Sequence, residues 1–328
     1  MNIPEFLEVY PRDLTPAQVY NRSKDPQIQA SQLYSYGYGQ LLHDALHGKP
    51  DGLAERAAEL NMYHEVVNFG ELESKLLDGA WHYRNEINFY GLNQHMYKMW
   101  RPLITGEWKH NEHRTESSMT QADLALDGLS YYSMRERYLH DEGPEAFENE
   151  SVRTLLCRLE GAMQETDATI ALLNWAQKHD TITVVPAPAQ FEHSTSGDKN
   201  ANADLLVIDF TEQKMIGVQV KTTATERTRN RYDPDRIVII DSEDLGNVRA
   251  WEGKGARAKD HRPWPGIIAA SRVMGIQTRN NPNYKRQGTD GMVTVIRRQM
   301  EAKAQLGNLR VDYSAVARAI GAKVMEKL

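Results

Sequence analysis

One cysteine, Cys157, occurs in 328 residues. An internal disulfide and any zinc site built on cysteines are therefore excluded, as expected of a protein kept in a reducing compartment. Cys157 lies within "VRTLLCRLEG", a helical pattern, where a buried structural thiol is the expected role. No apolar run approaches the roughly 18 residues that mark a membrane-spanning helix. The opening stretch "MNIPEFLEVYPRDLTP" lacks the basic start, apolar run and small-residue cleavage site of a secretion signal, so a cytoplasmic location is expected. There is no G-x-x-x-x-G-K-[ST] phosphate loop, since "GNVRAWEGKG" has neither the spacing nor the hydroxyl, and an ATP-driven motor is not expected. No G-x-S-x-G elbow is present to support serine-hydrolase chemistry. "HNEH" sets His110 and His113 at a zinc-like spacing but without a third ligand, which describes a surface pair.

What is present is a polar globular composition, 40% hydrophobic and 26% charged. The net charge of −6 is unevenly spread. Residues 214–310 hold 19 Lys and Arg against 10 Asp and Glu, a net of +9 on an otherwise acidic chain. Such a patch points to a localised site for a polyanion.

The patterning divides the chain in two. Up to about residue 140 it reads as helices joined by short loops, and the acidic, Gly- and Pro-containing "HDEGPEAFENE" marks a boundary. The expected domains are an all-α unit over 1–143, for substrate recognition or assembly, and an α/β unit over 144–328. The second opens with a helix from Ser151 to His179, with Leu155, Leu156, Leu159, Met163, Ile170, Leu173 and Trp175 on its apolar face. Strands follow in "TITVVPAPAQF", "ADLLVIDF", "MIGVQVKTT" and "RIVIIDS", with "EHSTSGDKNAN" as a polar loop and "TEQK" as a turn. Helices over 289–306 and 313–327 close the chain.

With "TEQK" as the turn, Phe210 faces Met215, Leu206 faces Gln219 and Asp204 faces Lys221. Alternation places Gln219 and Lys221 on one face, so three polar groups converge at one end of an apolar hairpin. A cross-strand ion pair between Asp204 and Lys221 leaves Gln219 without a reason. A carboxylate, a side-chain amide oxygen and the Val220 backbone carbonyl make an oxygen-rich corner suited to a hard divalent cation such as Mg²⁺, with Lys221 beside it to orient a water or balance a phosphate oxygen.

These residues resemble the PD-(D/E)xK nuclease superfamily, in its QxK variant, near the Holliday-junction-resolvase-like and Mrr-like members. The resemblance rests on Asp204 and on Gln219, Val220 and Lys221 of "QVK", with Gly161 and Glu165 in the preceding helix and Glu160 as the alternative acid. It covers about residues 151–242. Ala203 stands where the family's name has proline, and neutral Gln219 replaces the usual acid.

The resemblance implies an α/β, restriction-endonuclease-like core of a helix, a mixed sheet of about four strands and flanking helices, preceded by the all-α domain. It implies a Mg²⁺-dependent endo- or exonuclease, Mn²⁺ being a possible substitute. Asp204, Gln219, Val220 and Glu165 would bind the metal, Lys221 would act on the attacking water, and the product would carry a 5′-phosphate. DNA is favoured over RNA, in restriction, phage defence or repair, with a homodimer or a defence or repair protein as possible partner and no membrane.

Basic residues downstream fit that implication. "TERTRNRYDPDR" supplies Arg227, Arg229, Arg231 and Arg236, and "RAWEGKGARAKDHRPW" adds Lys254, Arg257, Lys259 and Arg262 with Trp251 and Trp264. Cations there would contact phosphates, and the indoles could stack on bases. Two other roles stay open: a binding module of the same fold without chemistry, and an assembly subunit that recruits a partner protein.

Overall fold

A computed structural model describes residues 1–10, 26–47, 51–66, 99–100, 103–104, 124, 150–192, 195–246, 249–251, 309–311 and 313–328. The protein is mixed α/β. Helices α1 (Ile3–Leu7), α2 (Pro26–Leu46) and α3 (Leu53–Val66) precede the long α4 (Glu150–Ala176). Strands β1 (Ile182–Pro186), β2 (Thr195–Ser196), β3 (Lys199–Asn200), β4 (Leu205–Asp209) and β5 (Lys214–Lys221) follow. The chain continues through a one-turn helix α5 (Glu226–Arg229), β6 (Ile237–Asp241), α6 (Ser242–Leu245), β7 (Arg249–Trp251), β8 (Leu309–Val311) and α7 (Ser314–Met325).

The main sheet has the order β1-β4-β5-β6. β1, β4 and β5 form an antiparallel meander, and β6 runs parallel to β5, which makes the sheet mixed. β1, β4 and β6 are buried along their whole length and β5 at every residue but its two terminal lysines. Near-continuous runs such as "LLVI" and "IVII" follow from that, because a strand covered on both faces has no reason to alternate.

The apolar stripe of α4 packs on β1 and β5, and α7 packs on α4. Of the core residues expected on α4, Ile170, Leu173 and Trp175 are buried, while the side chains of Leu155, Leu156, Leu159 and Met163 lie outside the described residues. Gly321 of α7 lies flat against the Trp175 indole, where an added Cβ would sit 2.2 Å from Cδ1.

The first ten residues belong to this same core. Asn2 bridges to Lys214, Met215 N–H donates to the Met1 carbonyl at 3.0 Å, and Ile3 N–H donates to the Gln213 carbonyl at 3.0 Å. This short strap extends the sheet beside the start of β5. Ile3, Phe6 and Leu7 are buried beneath it, with the Phe6 ring 5.2 Å from Tyr10 and 6.4 Å from Phe191.

Three local expectations are corrected. "TITVVPAPAQF" is a strand only to Pro186, after which Ala189–Glu192 turns as a 3₁₀ helix, since Pro188 cannot donate to a ladder. Within the stretch expected as a loop, β2 and β3 form a small hairpin around Gly197, whose φ of +62° suits a tight turn. The β4–β5 loop is Phe210–Gln213 rather than "TEQK": Asp209 pairs with Lys214 and Ile208 with Met215. Asp209 Oδ1 accepts from Thr211 N–H at 2.9 Å and Glu212 N–H at 3.2 Å, and Gln213 adopts a left-handed φ of 51°, so the chain turns back one residue early on each strand.

Candidate functional site

That change alters which residues meet. The paired residues sum two lower than expected, which keeps every side chain on its expected face and brings Asp204, one step beyond the β4 ladder, opposite Gln219 instead of Lys221. The corner therefore survives with a different internal arrangement.

Asp204 is half-buried. Its Oδ2 accepts the Val220 backbone N–H at 2.6 Å and is also met by Gln219 Nε2. Its Oδ1 has no hydrogen-bond donor from the described residues. Burial pushes the carboxyl up to about 6, and the Lys221 charge, the Val220 N–H and the Gln219 amide each act to lower it. An ionised carboxylate can only accept, so the buried Gln219 amide presents nitrogen toward it. In this arrangement Gln219 is a donor to Asp204; its oxygen would face the same point only after the amide turned over.

Lys221 ends β5, half-buried, opposite Asp241 in the parallel register. Among the described residues its ammonium has neither an ion pair nor a hydrogen bond. Its Nζ lies over the Tyr232 ring, 5.8 Å from the centroid. Glu165 is half-buried on α4, its carbonyl accepting Thr169 Oγ1 at 2.7 Å, and it makes no hydrogen bond to Asp204. Asp204, Gln219, Val220 and Lys221 are thus brought together, and Glu165 belongs to the helix packed against β5.

The basic residues separate by role. Arg229 Nη2 donates to the buried Asp241 Oδ2 at 2.6 Å, and Asp241 also caps α6 by accepting from Glu243 and Asp244 N–H. Arg236 Nη1 donates to the Phe6 carbonyl at 2.7 Å and to that of Glu5, fastening α1, and its Nε pairs with Asp233 at 3.4 Å. Both are occupied in holding the fold. Arg227 and Arg231 are exposed, with no side-chain partner among the described residues. Lys254, Arg257 and Lys259, like Arg262, Trp264, His110 and His113, lie outside the described residues.

Sequence reasoning missed Tyr232 and Asp241. "IIDSED", an apolar run closed by Asp with a second Asp three residues later, was a readable capping signal for Asp241. Nothing in the pattern linked Tyr232 to Lys221, because their contact comes from the return of the chain through α5.

Comparison with family models, with curated proteins and with solved structures finds no match for the chain. No helix among the described residues is long and apolar enough to cross a membrane. No group of three or more His, Cys, Asp or Glu able to hold a metal occurs among the described residues. A site made from one or two carboxylates completed by amide and backbone oxygens does not form such a group. The Asp204 carboxylate, with one oxygen fixed by two donors and the other left without a donor among the described residues, fits a hard cation as a single-oxygen ligand.

Proposed function

We propose that the protein is a metal-dependent nuclease of restriction-endonuclease-like fold that hydrolyses phosphodiester bonds, with DNA the favoured substrate. One observation carries this: at the sheet end a half-buried carboxylate, one of whose oxygens receives no donor from the described residues, stands near an ammonium that makes no ion pair among the described residues. Such an arrangement costs stability and is expected where an anionic substrate supplies the missing charge.

Mg²⁺, or Mn²⁺ in its place, would be held through Asp204, with Glu165, the Val220 carbonyl and the turned-over Gln219 amide as further oxygens, and would supply Lewis-acid polarisation of the phosphate. The chain's own residues do the rest. Gln219 Nε2 and Val220 N–H fix the Asp204 carboxylate. Lys221 offers N–H donors to the attacking water and to a phosphate oxygen, stabilising the charge that grows there. Arg227 and Arg231 contact phosphates further along the strand, which positions the substrate without reading its sequence.

The test is cleavage of linear, circular, branched and single-stranded DNA and of RNA with Mg²⁺ or Mn²⁺, comparing wild type with Asp204→Ala and Lys221→Ala. Metal-dependent cutting abolished by both substitutions is the expected result. Cutting unaffected by either would place the site elsewhere.

A nucleic-acid-binding module without chemistry is favoured by one feature, the Gln219 amide that satisfies Asp204 by hydrogen bonding in place of a cation. It predicts binding indifferent to Mg²⁺ and to Lys221→Ala, with no cutting by any form.

A further inference from the structure

We propose that Tyr232 is a positioning residue for Lys221, its ring holding the ammonium apart from Asp204 so that both groups stay available to substrate. This rests on the nuclease proposal above. A free lysine beside a carboxylate has an obvious alternative: its flexible stem can swing in and close an ion pair. That pair would occupy the open Asp204 oxygen and neutralise the charge meant for the phosphate. In the structure no such pair forms, and the ammonium lies 5.8 Å from the Tyr232 centroid. An aromatic face attracts a cation without pairing it with an opposite charge, so the ring restrains Lys221 without neutralising it.

The ring is itself firmly placed. Tyr232 is only 8% exposed. Its backbone bridges to Asn200 of β3, with Asn200 N–H donating to the Arg231 carbonyl at 2.7 Å and Asp233 N–H donating to the Asn200 carbonyl at 2.9 Å. Tyr232 N–H donates to the Arg229 carbonyl at 3.2 Å, and Arg229 is anchored on Asp241, the register partner of Lys221. The segment that carries the ring is thus referenced to the same strand end as the lysine.

The experiment uses the full chain with Tyr232→Phe and Tyr232→Leu, and reads two quantities. The first is the Lys221 Cε–Hε NMR signal, assigned by its loss in Lys221→Arg. Ring current should shift it upfield in wild type and in Tyr232→Phe, and return it to the position of exposed lysines in Tyr232→Leu. The second is steady-state cleavage, with kcat of Tyr232→Leu lowered roughly tenfold at nearly unchanged KM and restored by Tyr232→Phe. An unshifted wild-type signal would overturn the proposal, as would a Leu variant that cleaves like wild type. A Phe variant as slow as Leu would overturn it too, by assigning the role to the hydroxyl. Should Tyr232→Leu not fold, the wild-type shift and the Phe variant decide the matter. If wild type cuts no substrate, the nuclease proposal fails by itself, and the presence or absence of the shift still decides whether the ring holds Lys221.

Discussion

Asp204 is the residue at which stability and the proposed chemistry conflict most openly. Its carboxyl is raised from 3.8 to about 6, chiefly by burial. A carboxyl raised on folding favours the native state fully below its unfolded value, and that contribution disappears as pH rises through the folded value. At neutral pH the native protein therefore carries a penalty of up to ~3 kcal/mol from this group. Asp204→Asn is expected to raise unfolding stability at pH 8, with the gain shrinking between pH 6 and pH 4 and vanishing below, while cleavage is lost. Denaturant unfolding at a series of pH values measures this. A gain that did not change with pH would remove burial of the charge as its cause. That polar residues gather at this corner was legible in the sequence, because they interrupted apolar strands. Its internal geometry was not, because the pairing depended on the Asp209 carboxylate and the left-handed Gln213, whose effect is confined to the loop.

Among the elements, α5 shows why a basic stretch cannot be read as one surface. Arg227 and Arg231 are exposed and have no side-chain partner among the described residues, while Arg229, between them in sequence, holds the end of β6. Arg227→Ala and Arg231→Ala should each weaken nucleic-acid binding and reduce the slope of log affinity against log salt by about 1, with little change in stability. Arg229→Ala should instead cost about 1 kcal/mol of stability, since its guanidinium is 40% exposed and partly screened although Asp241 is buried. Salt-titrated binding and thermal unfolding of the three variants separate the roles. At α7, Gly321→Ala should destabilise by ~1–3 kcal/mol, because the new methyl would overlap the Trp175 ring unless α4 and α7 move apart. Both helices were readable from their apolar spacing, but the need for glycine at 321 was not, since it depends on a partner over a hundred residues away.

At the scale of the molecule, the α/β class, the opening helix and a four-stranded mixed sheet were all legible, since long buried strands announce themselves by β-branched runs. The attachment of the first ten residues was not. "NIPEFL" carries no mark of the strand it will meet, and Ile3, Phe6 and Leu7 could have packed against any apolar surface. Their burial beside β5 ties the beginning of the chain to the sheet that bears the site. Phe6→Ala is expected to cost ~3–5 kcal/mol, as for other fully buried aromatics. A fragment of residues 144–328, which lacks the strap, should melt well below the intact chain by calorimetry. An equally stable fragment would show that the sheet does not depend on the N-terminal residues.

The order in which these contacts can form differs from their order in space. Asp204 and Gln219 lie 15 residues apart on one hairpin, so the polar corner can close early and at small entropic cost. Arg236 and the Phe6 carbonyl are separated by 230 positions, and the strap that they fasten is expected to form late. Weakening it should therefore leave the refolding rate nearly unchanged and speed unfolding, which makes the strap a determinant of how long the folded protein lasts rather than of how quickly it forms.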